Sequence, residues 1–410
     1  MLLAKSGALA CLLIALGPLL KAQDSGSRAD LGTTLRANGE VPGATLLPDF
    51  EPGKGTLTFQ LGFYNHSDAP GDGNPFLDEE LTVIEPVLIL DHDVSENFGY
   101  SVELSYDFVS SASIGRLDAF PDQTGASRDN YIGGDFSFRH RMDNDAQFTW
   151  HVGYSDEYDY DSLGVGASYA WQPRGTDATV SVGLDAYLDD ITLISGVDGT
   201  ENGSDDRLSL TLNANWYQIL SPKTHGEFGV SLAQQDGYLG TPYNFVVLED
   251  GATVPNPPLH NGGLGMLVDE TLPDSRTRLA VFGRVRSQIE TGRAWQLGSR
   301  LYADSWDILS ASLEPSYYHA LSDDWTLELS YRFYAQTAAD DFEESFTAPN
   351  TEPFRTQDSD LGSFSSHTVG FAFDWMRNTN STIYTGINYQ LRSDGLDHFY
   401  GFIGWSKAIF

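Results

Sequence analysis

The chain is poor in cysteine and in basic residues. Its 410 residues include one cysteine, Cys11, so a disulfide framework is excluded. Lysine and arginine total 23 against 58 aspartates and glutamates, which gives a net charge of −35. Such a surface repels a phosphate backbone, and the sequence therefore predicts a protein that binds no nucleic acid.

Long apolar runs are also missing. A membrane-spanning helix needs about 20 apolar residues, and no segment reaches that length. The stretch from Ala8 to Leu20 follows Lys5 and is typical of a secretory signal, with cleavage expected after Ala22. We therefore expect residues 1–22 to be a signal peptide and residues 23–55 to be a polar N-terminal segment too short for a plug domain. With 12% aromatic and 40% hydrophobic residues, disorder fits the remaining chain badly.

Hydrophobic side chains recur with a period of two. Leu208, Leu210 and Leu212 alternate with Ser209 and Thr211. The same alternation is present near 136–140, 148–154, 163–171, 180–188 and 325–333. It predicts strands with one apolar and one polar face. Strands of a soluble sandwich are usually about five or six residues long, whereas about ten residues cross a bilayer, so the pattern favours a membrane barrel.

The spacing of these segments predicts an all-β transmembrane antiparallel up-and-down β-barrel of about sixteen strands. The expected strands lie near 56–64, 81–92, 98–109, 130–142, 146–155, 160–171, 178–188, 207–219, 224–234, 276–289, 294–304, 306–319, 324–335, 366–376, 381–392 and 397–410. The links that follow odd-numbered strands are mostly long, namely 65–80, 110–129, 189–206, 235–275 and 336–365. We expect one barrel domain over residues 56–410 in the outer membrane of a Gram-negative bacterium. Its long loops would face the exterior and both termini the periplasm.

The last strand ends in an aromatic residue, Phe410. A C-terminal aromatic on the final strand resembles the signal that the outer-membrane assembly machinery reads. The expected partners are therefore that machinery, through Phe410, and the lipid of the outer membrane.

Three further segments carry a family resemblance. They are TGAS at 124–127, GYLGTPY at 237–243 and YRFYAQTAAD at 331–340. Their order and spacing resemble those of the uncharacterised bacterial family catalogued as domain of unknown function 3570, over roughly residues 80–410. The resemblance implies an outer-membrane barrel and assigns neither a substrate nor a catalytic residue.

Motifs for catalysis or cofactor binding are missing. There is no His-Glu-x-x-His, phosphate-binding loop, Gly-x-Ser-x-Gly or Cys-x-x-Cys-His pattern, and the nine histidines are scattered singly. We therefore expect no enzyme activity, no cofactor and no assigned metal site. The acidic segment 198–206 is interpreted mainly as a solvated loop, with divalent-cation binding left open because its spacing differs from an EF-hand.

One strand concentrates positive charge on a single face. Arg276, Arg278, Arg284 and Arg286 share one parity, opposite to Leu279 and its apolar neighbours. A charge that faces lipid costs a few kcal/mol at mid-membrane, so the arginines are expected to line the lumen. The other expected lumen-lining charges are Arg139, Arg141, Arg300, Arg332, Glu103, Asp107, Asp135 and Glu328.

Two interpretations of these charges stay open from the sequence alone. They either form a ladder that neutralises itself and braces the barrel, or they create a transverse field in a channel. The leading functional hypothesis is a porin-like channel for diffusion of small polar solutes. The alternative is a non-transporting scaffold or sleeve for periplasmic or surface partners, and an outer-membrane enzyme comes third.

Overall fold

The computed structural model describes residue 47 and residues 50–67, 81–111, 129–142, 144–197, 199–242, 244–249 and 266–409. The expected signal peptide, the motif at 124–127 and Phe410 lie outside the described residues. The predictions made for them therefore stay predictions.

Sixteen strands close into an antiparallel barrel, which confirms the predicted fold class. The barrel strands are β1 (Gly55–Ser67), β2 (Leu81–Ser95), β3 (Phe98–Ser111), β4 (Asp129–Arg141), β5 (Gln147–Asp156), β6 (Tyr160–Trp171), β7 (Ala178–Ile194), β8 (Glu201–Ser221), β9 (Thr224–Gly237), β12 (Ser275–Glu290), β13 (Arg293–Asp304), β14 (Leu309–Ala320), β15 (Trp325–Gln336), β17 (Phe364–Asn378), β18 (Ser381–Arg392) and β19 (Asp397–Ala408). Each pairs with its neighbours in this order, and β1 pairs with β19 to close the ring. Between them lie three short strands, β10 (Phe245–Glu249), β11 (Met266–Asp269) and β16 (Phe346–Thr347).

The apolar side chains of the barrel point outward. Leu184, Leu301 and Ile132 are each more than half exposed, although they are apolar. Because side chains alternate along a strand, the residues between them face the interior. This arrangement reverses that of a soluble protein and is the one a lipid-facing barrel requires.

The links differ in length at the two ends of the barrel. At one end the turns are short, for example residues 222–223 between β8 and β9 and residues 379–380 between β17 and β18. At the other end residues 238–274 and 337–363 form long links. The predicted asymmetry between odd-numbered and even-numbered links is present for these segments.

The prediction of a long loop at 189–206 is wrong. Strand β7 continues to Ile194 and β8 begins at Glu201, with Ile191 paired to Asp205 and Ile194 to Glu201. The β-branched residues Ile191, Thr192 and Ile194 favour an extended backbone, and the acidic residues 201–206 pair with this segment as part of the ladder. Residues 201–206 are therefore an exposed strand end rather than a loop.

The twelfth barrel strand also begins later than expected, at Leu309 rather than near 306. Residues 305–308 form a tight turn, because Asp304 accepts hydrogen bonds from the backbone nitrogens of Trp306 and Ile308, both at 3.0 Å. This turn fixes Trp306 at the end of the barrel that carries the long links.

The long links fold together at that end. We call residues 238–242, 244–249, 266–274 and 337–363 the cap. Within it β10 pairs with β11 antiparallel and with β16 in parallel, so the two links share one small sheet. Val246, Leu248 and Phe346 are buried at its centre. A second cluster packs the cap onto Trp306 and Ile308 of the barrel through Ala339, Leu239, Leu272, Phe342 and Leu361.

Helical structure is limited in the described residues to one 3-10 turn, Ser359–Leu361, within the cap. No helix in that part of the chain is long and apolar enough to cross a membrane, a finding that does not bear on crossing by strands.

Candidate functional site in the barrel lumen

The interior of the barrel carries the charged side chains. On β12 the half-exposed Leu279 faces outward, so Arg278, Arg284 and Arg286 lie on the opposite, inner face. The same alternation places the other expected lumen residues inside. They are Arg276, Arg139, Arg141, Arg300, Arg332, Glu103, Asp107, Asp135 and Glu328.

These charges separate onto two opposite walls. In a closed ring of sixteen strands, a strand faces the one eight positions away, so β2–β5 lie across the lumen from β12–β15. The wall formed by β2–β5, here called the carboxyl wall, carries six inward carboxyl groups and two inward arginines. They are Glu85, Asp91, Asp93, Glu103, Asp107 and Asp135, with Arg139 and Arg141. The wall formed by β12–β15, the arginine wall, has the opposite excess, with six arginines and three carboxyl groups. They are Arg276, Arg278, Arg284, Arg286, Arg300 and Arg332, with Asp304, Glu314 and Glu328.

Three arginines of the arginine wall have carboxylate partners. Arg284 contacts Glu227 of β9 at 2.5 Å, and Arg332 donates to Glu314 at 2.9 Å. Arg276 pairs with Asp304, whose side chain is fully buried. These pairs supply part of the self-neutralising ladder that the sequence allowed.

The remaining arginines of this wall have other neighbours. The guanidinium of Arg286 lies 4.0 Å from the ring centre of Tyr318, and its Nη2 is buried without a hydrogen bond. Tyr318 in turn hydrogen-bonds Glu328. Among the described residues no carboxylate lies within ion-pair distance of Arg286 or Arg300. Because its six arginines outnumber its three carboxyl groups, this wall carries an excess of positive charge.

The carboxyl wall is braced at the short-turn end. Arg139 donates to Asp91 at 2.8 Å and to Asp93 at 3.2 Å. Phe50 of the N-terminal segment is buried against the same place, with its ring centre 5.7 Å from the Arg139 guanidinium and 5.3 Å from that of Arg141. The segment before β1 thus packs against the lumen wall here.

A histidine links two carboxylates farther along this side. His151 contacts Asp135 through Nδ1 at 2.9 Å and Asp185 through Nε2 at 3.0 Å. Carboxylates only accept hydrogen bonds, so both ring nitrogens must donate and the ring carries a positive charge. Gly166 leaves space for the imidazole ring, because a Cβ at this position would lie 2.1 Å from Nε2 of His151. The sequence did not single out His151 or Asp185, since their pairing depends on strand register.

Glu85, which the sequence did not single out, lies beside the predicted lumen residue Asp107. Asp107 is 4% exposed, and its Oδ1 has no hydrogen-bond partner. Glu85 lies close enough to it for their charges to interact. No Lys or Arg of the described residues lies within ion-pair distance of either carboxyl group. Glu85 was hidden because β2 also has Val83 and Val87 on its inner face, which obscures the alternation.

The cap is tied to two opposite sides of the barrel. Arg392 at the end of β18 pairs with Asp360 and donates to the Ser359 carbonyl at 3.0 Å. On the other side Asp269 accepts from the Ser195 hydroxyl at 2.9 Å and from the Gly196 nitrogen at 3.0 Å. Ser195 follows β7, which is eight positions from β18 in the ring. The cap therefore spans the mouth of the lumen from the β7 side to the β18 side.

Two carboxyl groups of the cap have shifted pKa values. Burial acts to raise the pKa of Asp360, but the charge of Arg392 and its hydrogen bond outweigh this effect and lower the pKa to about 2. Burial raises the pKa of Glu270 above its usual range, although Thr356 donates a hydrogen bond to it at 2.6 Å. The first group is thus a charged anchor of the cap, and burial shifts the second toward its protonated form.

Metal binding gains no support from the acidic segment at the end of β8. Within the described part of the chain, no group of three or more His, Cys, Asp or Glu side chains is arranged to hold a metal ion. Residue 198, which belongs to the same segment, lies outside that part.

Comparison with solved structures finds barrels of low sequence identity. A bacterial polysaccharide outer membrane secretin is similar with a TM-score of 0.48 and 10% identity, over 86% of this chain and 98% of that one. OprB of Pseudomonas putida has a TM-score of 0.43 and 8% identity, over 87% and 94%. A mutant of the TodX monoaromatic hydrocarbon channel has a TM-score of 0.41 and 10% identity, over 94% and 100%. These similarities carry no inference about a solute.

No curated protein matches the chain significantly. The family model for proteins of unknown function, DUF3570, matches residues 117–404, which is more than half of the chain. This match agrees with the resemblance of the segments at 237–243 and 331–340. The chain belongs to the DUF3570 family.

Proposed function

We propose that this protein is a porin-like channel for small polar solutes in the outer membrane of a Gram-negative bacterium. The observation that carries the proposal is the separation of charge between the carboxyl wall and the arginine wall. Opposite charges that face each other across water create a transverse field, which orients dipolar solutes as they pass. A barrel that served only as a lipid-embedded scaffold would not need this separation.

The cap supports a channel over an empty sleeve. A sleeve must admit a protein segment through its mouth, whereas a cap tied at Asp360 and Asp269 narrows that mouth. A narrowed entrance that leaves space for small solutes suits a diffusion channel. No feature described above favours an enzyme.

The orientation follows from the lengths of the links. Outer-membrane barrels have short turns in the periplasm and long loops outside. The cap then faces the exterior, and Phe50 and the C-terminal end of β19 lie at the periplasmic side.

The test is the conductance of the purified, folded protein in planar lipid bilayers. We expect stepwise increases in current as single barrels insert. Two neighbouring substitutions on β13 provide the internal comparison. Arg300→Gln, inside the lumen, should alter the conductance, and Leu301→Ala, on the lipid side, should leave it unchanged because the two faces of a strand are independent.

Folding is checked separately by the heat-dependent mobility of the barrel in SDS gels. A protein that is folded by this criterion but adds no current would contradict the channel and return the scaffold to first place. Equal changes for Arg300→Gln and Leu301→Ala would show that the lumen is not the path of the current.

A further inference from the structure

The lumen has a third distinct surface between the two charged walls. It lies on β18, β19 and β1, which are consecutive in the ring. We call it the aromatic strip, and its rings are those of Tyr64, His66, Tyr384, His398, Tyr400 and Phe402. All six share the inner face, since Leu61, Ile387 and Ile403 of the same strands are exposed on the outer one.

Strand register stacks these rings into a continuous column. Along β19 the inward positions are His398, Tyr400, Phe402 and Gly404, and Tyr384 of β18 lies opposite Gly404. On the other side Tyr64 pairs with Tyr400, and His66 pairs with His398. Four successive rows thus carry a ring, over about 20 Å at about 3.4 Å per residue.

Wall glycines let the lower rings lie against the barrel. A Cβ on Gly404 would be 2.1 Å from Cζ of Tyr384, and one on Gly386 would be 2.7 Å from Cζ of Phe402. The two rings are neighbours, with centres 6.0 Å apart. Rings that cover glycines in this way turn a face rather than an edge toward the lumen.

The upper rings are held in place by one another. The Tyr64 hydroxyl and Nδ1 of His398 are 3.1 Å apart, and the rings of His66 and His398 have centres 4.1 Å apart. Tyr400 lies between the lower and upper rings and is 37% exposed. The column is therefore ordered and open to solutes at its middle.

The strip lacks permanently charged side chains but is not apolar. In these four rows, the inward positions on β18, β19 and β1 include no Asp, Glu, Lys or Arg. They do include the amides of Gln60, Asn388 and Gln390. Directly across the lumen, β8 presents Ser209, Thr211, Asn213 and Asn215. Hydroxyl and amide groups thus accompany and face the rings.

This combination matches one class of solute. A sugar ring has C–H groups on its faces and hydroxyl groups around its rim. The C–H faces pack on aromatic rings, and the rim exchanges hydrogen bonds with amides and water. Ions gain little from an uncharged strip, because they would lose hydration without a partner.

We propose that the aromatic strip binds uncharged oligosaccharides and guides them along the lumen. The inference rests on the proposed channel and names its substrate class. A chain of sugar rings moves from one aromatic ring to the next, while the opposed charged walls orient its hydroxyl dipoles.

Binding and conduction are measured separately, so that each proposal can fail alone. Folded protein in detergent is titrated calorimetrically with maltotriose, cellotriose and xylotriose, and the same sugars are added to single channels in bilayers. Wild type should bind at least one of them, and that sugar should interrupt the current. Tyr400→Ala and Phe402→Ala should each weaken its affinity about threefold to tenfold.

Phe282→Ala is the matched control. Phe282 is also an inward ring over a glycine, with its Cζ 2.2 Å from an ideal Cβ on Gly229, but it belongs to the arginine wall. The Phe282→Ala variant should bind sugar with the affinity of wild type. Tyr400→Phe keeps the ring and should retain most of the affinity, which separates loss of the ring from misfolding.

A conducting protein that neither binds nor is blocked by any of the three sugars would overturn the inference and leave the channel intact. Equal weakening by Phe282→Ala and Phe402→Ala, or block by charged or small aromatic solutes alone, would also overturn it. Sugar binding with the expected pattern in a protein that does not conduct would support the strip and contradict the channel.

Discussion

The two charged walls of the lumen balance their charges in different ways. On the arginine wall Arg276, Arg284 and Arg332 each have a carboxylate partner, and Arg286 lies on the ring of Tyr318. On the carboxyl wall Arg139 holds two aspartates. Glu85 and Asp107 have no such cation among the described residues.

The difference indicates that neither wall is a closed set of ion pairs. Each wall has ion pairs that hold neighbouring strands together. Each wall also has charged groups of its own predominant sign that these pairs do not neutralise. In the proposed channel, the pairs account for stability, and the remaining charges account for a field across the lumen. Substitutions that separate these two roles test the comparison.

The largest effect on stability is expected where the arginine wall is most buried. Arg276→Gln leaves the carboxylate of Asp304 buried without its ion pair. Breaking a buried pair from one side costs about 3–5 kcal/mol of unfolding free energy. Urea unfolding of the folded barrel, followed by tryptophan fluorescence, measures the loss.

The control is an exposed pair on the same two strands. Arg293 pairs with Glu290 at the short-turn end, where both side chains are about half exposed. Arg293→Gln should cost less than about 1 kcal/mol. Similar losses for Arg276→Gln and Arg293→Gln would mean that burial does not decide the strength of these pairs.

The carboxyl wall should respond with the opposite sign. Asp107→Asn replaces a buried carboxyl group that has no cation nearby and keeps nearly the same shape. Removal of this buried carboxyl group should raise the free energy of unfolding by about 1–3 kcal/mol. Glu85→Gln should also raise the free energy of unfolding. The effects of Glu85→Gln and Asp107→Asn should be less than additive, because the two groups interact.

Asp91 provides the comparison within the same wall. It accepts a hydrogen bond from Arg139 at 2.8 Å, so Asp91→Asn should destabilise the barrel. If Asp107→Asn destabilised it as well, Asp107 would have a partner that the geometry does not show.

A smaller and local effect is expected at the cap. Arg392→Gln removes the ion pair with Asp360, and a hydrogen bond between charged groups contributes about 1.5–3 kcal/mol. Amide hydrogen exchange in residues 356–364 should accelerate at least tenfold, while global unfolding changes little. Arg377→Gln, an exposed arginine at the other end of β17, should leave that exchange unchanged.

The same anchor predicts a pH dependence. The pKa of Asp360 is lowered from an ordinary value of 3.8 to about 2, so its contribution is complete above the ordinary value. It should be lost as the pH falls from about 4 toward 2. Exchange in the cap that accelerated already between pH 7 and 5 would contradict this anchor.

Much of the barrel could be predicted from the sequence, because strand alternation is local. Leu279 faces lipid, so alternation along the same strand places Arg278 and Arg284 on the inner face. This inference needs no information from other parts of the chain. Residues 201–206 of β8 were expected to form a loop because acidic clusters are typical of exposed loops. The pairing of Ile191 with Asp205 instead keeps this segment in an extended strand.

The rest depends on register and on distant contacts. His151 meets Asp185 only because β5, β6 and β7 pair as they do. The cap joins Leu248 to Phe346 across about a hundred residues, and no local pattern predicts that pairing. The aromatic strip likewise appears only when the first strand meets the last.

The most direct test of the central claim is the reversal potential of single channels under a salt gradient. The triple variant Arg278→Gln, Arg284→Gln, Arg286→Gln removes three charges from the lumen, and Arg174→Gln, Arg293→Gln, Arg377→Gln removes three exposed ones outside it. A shift toward cations is expected for the first triple only. The shift should shrink in high salt, because the screening length falls from about 10 Å at 0.1 M to about 3 Å at 1 M. A conducting lumen variant with the reversal potential of wild type would contradict this expectation.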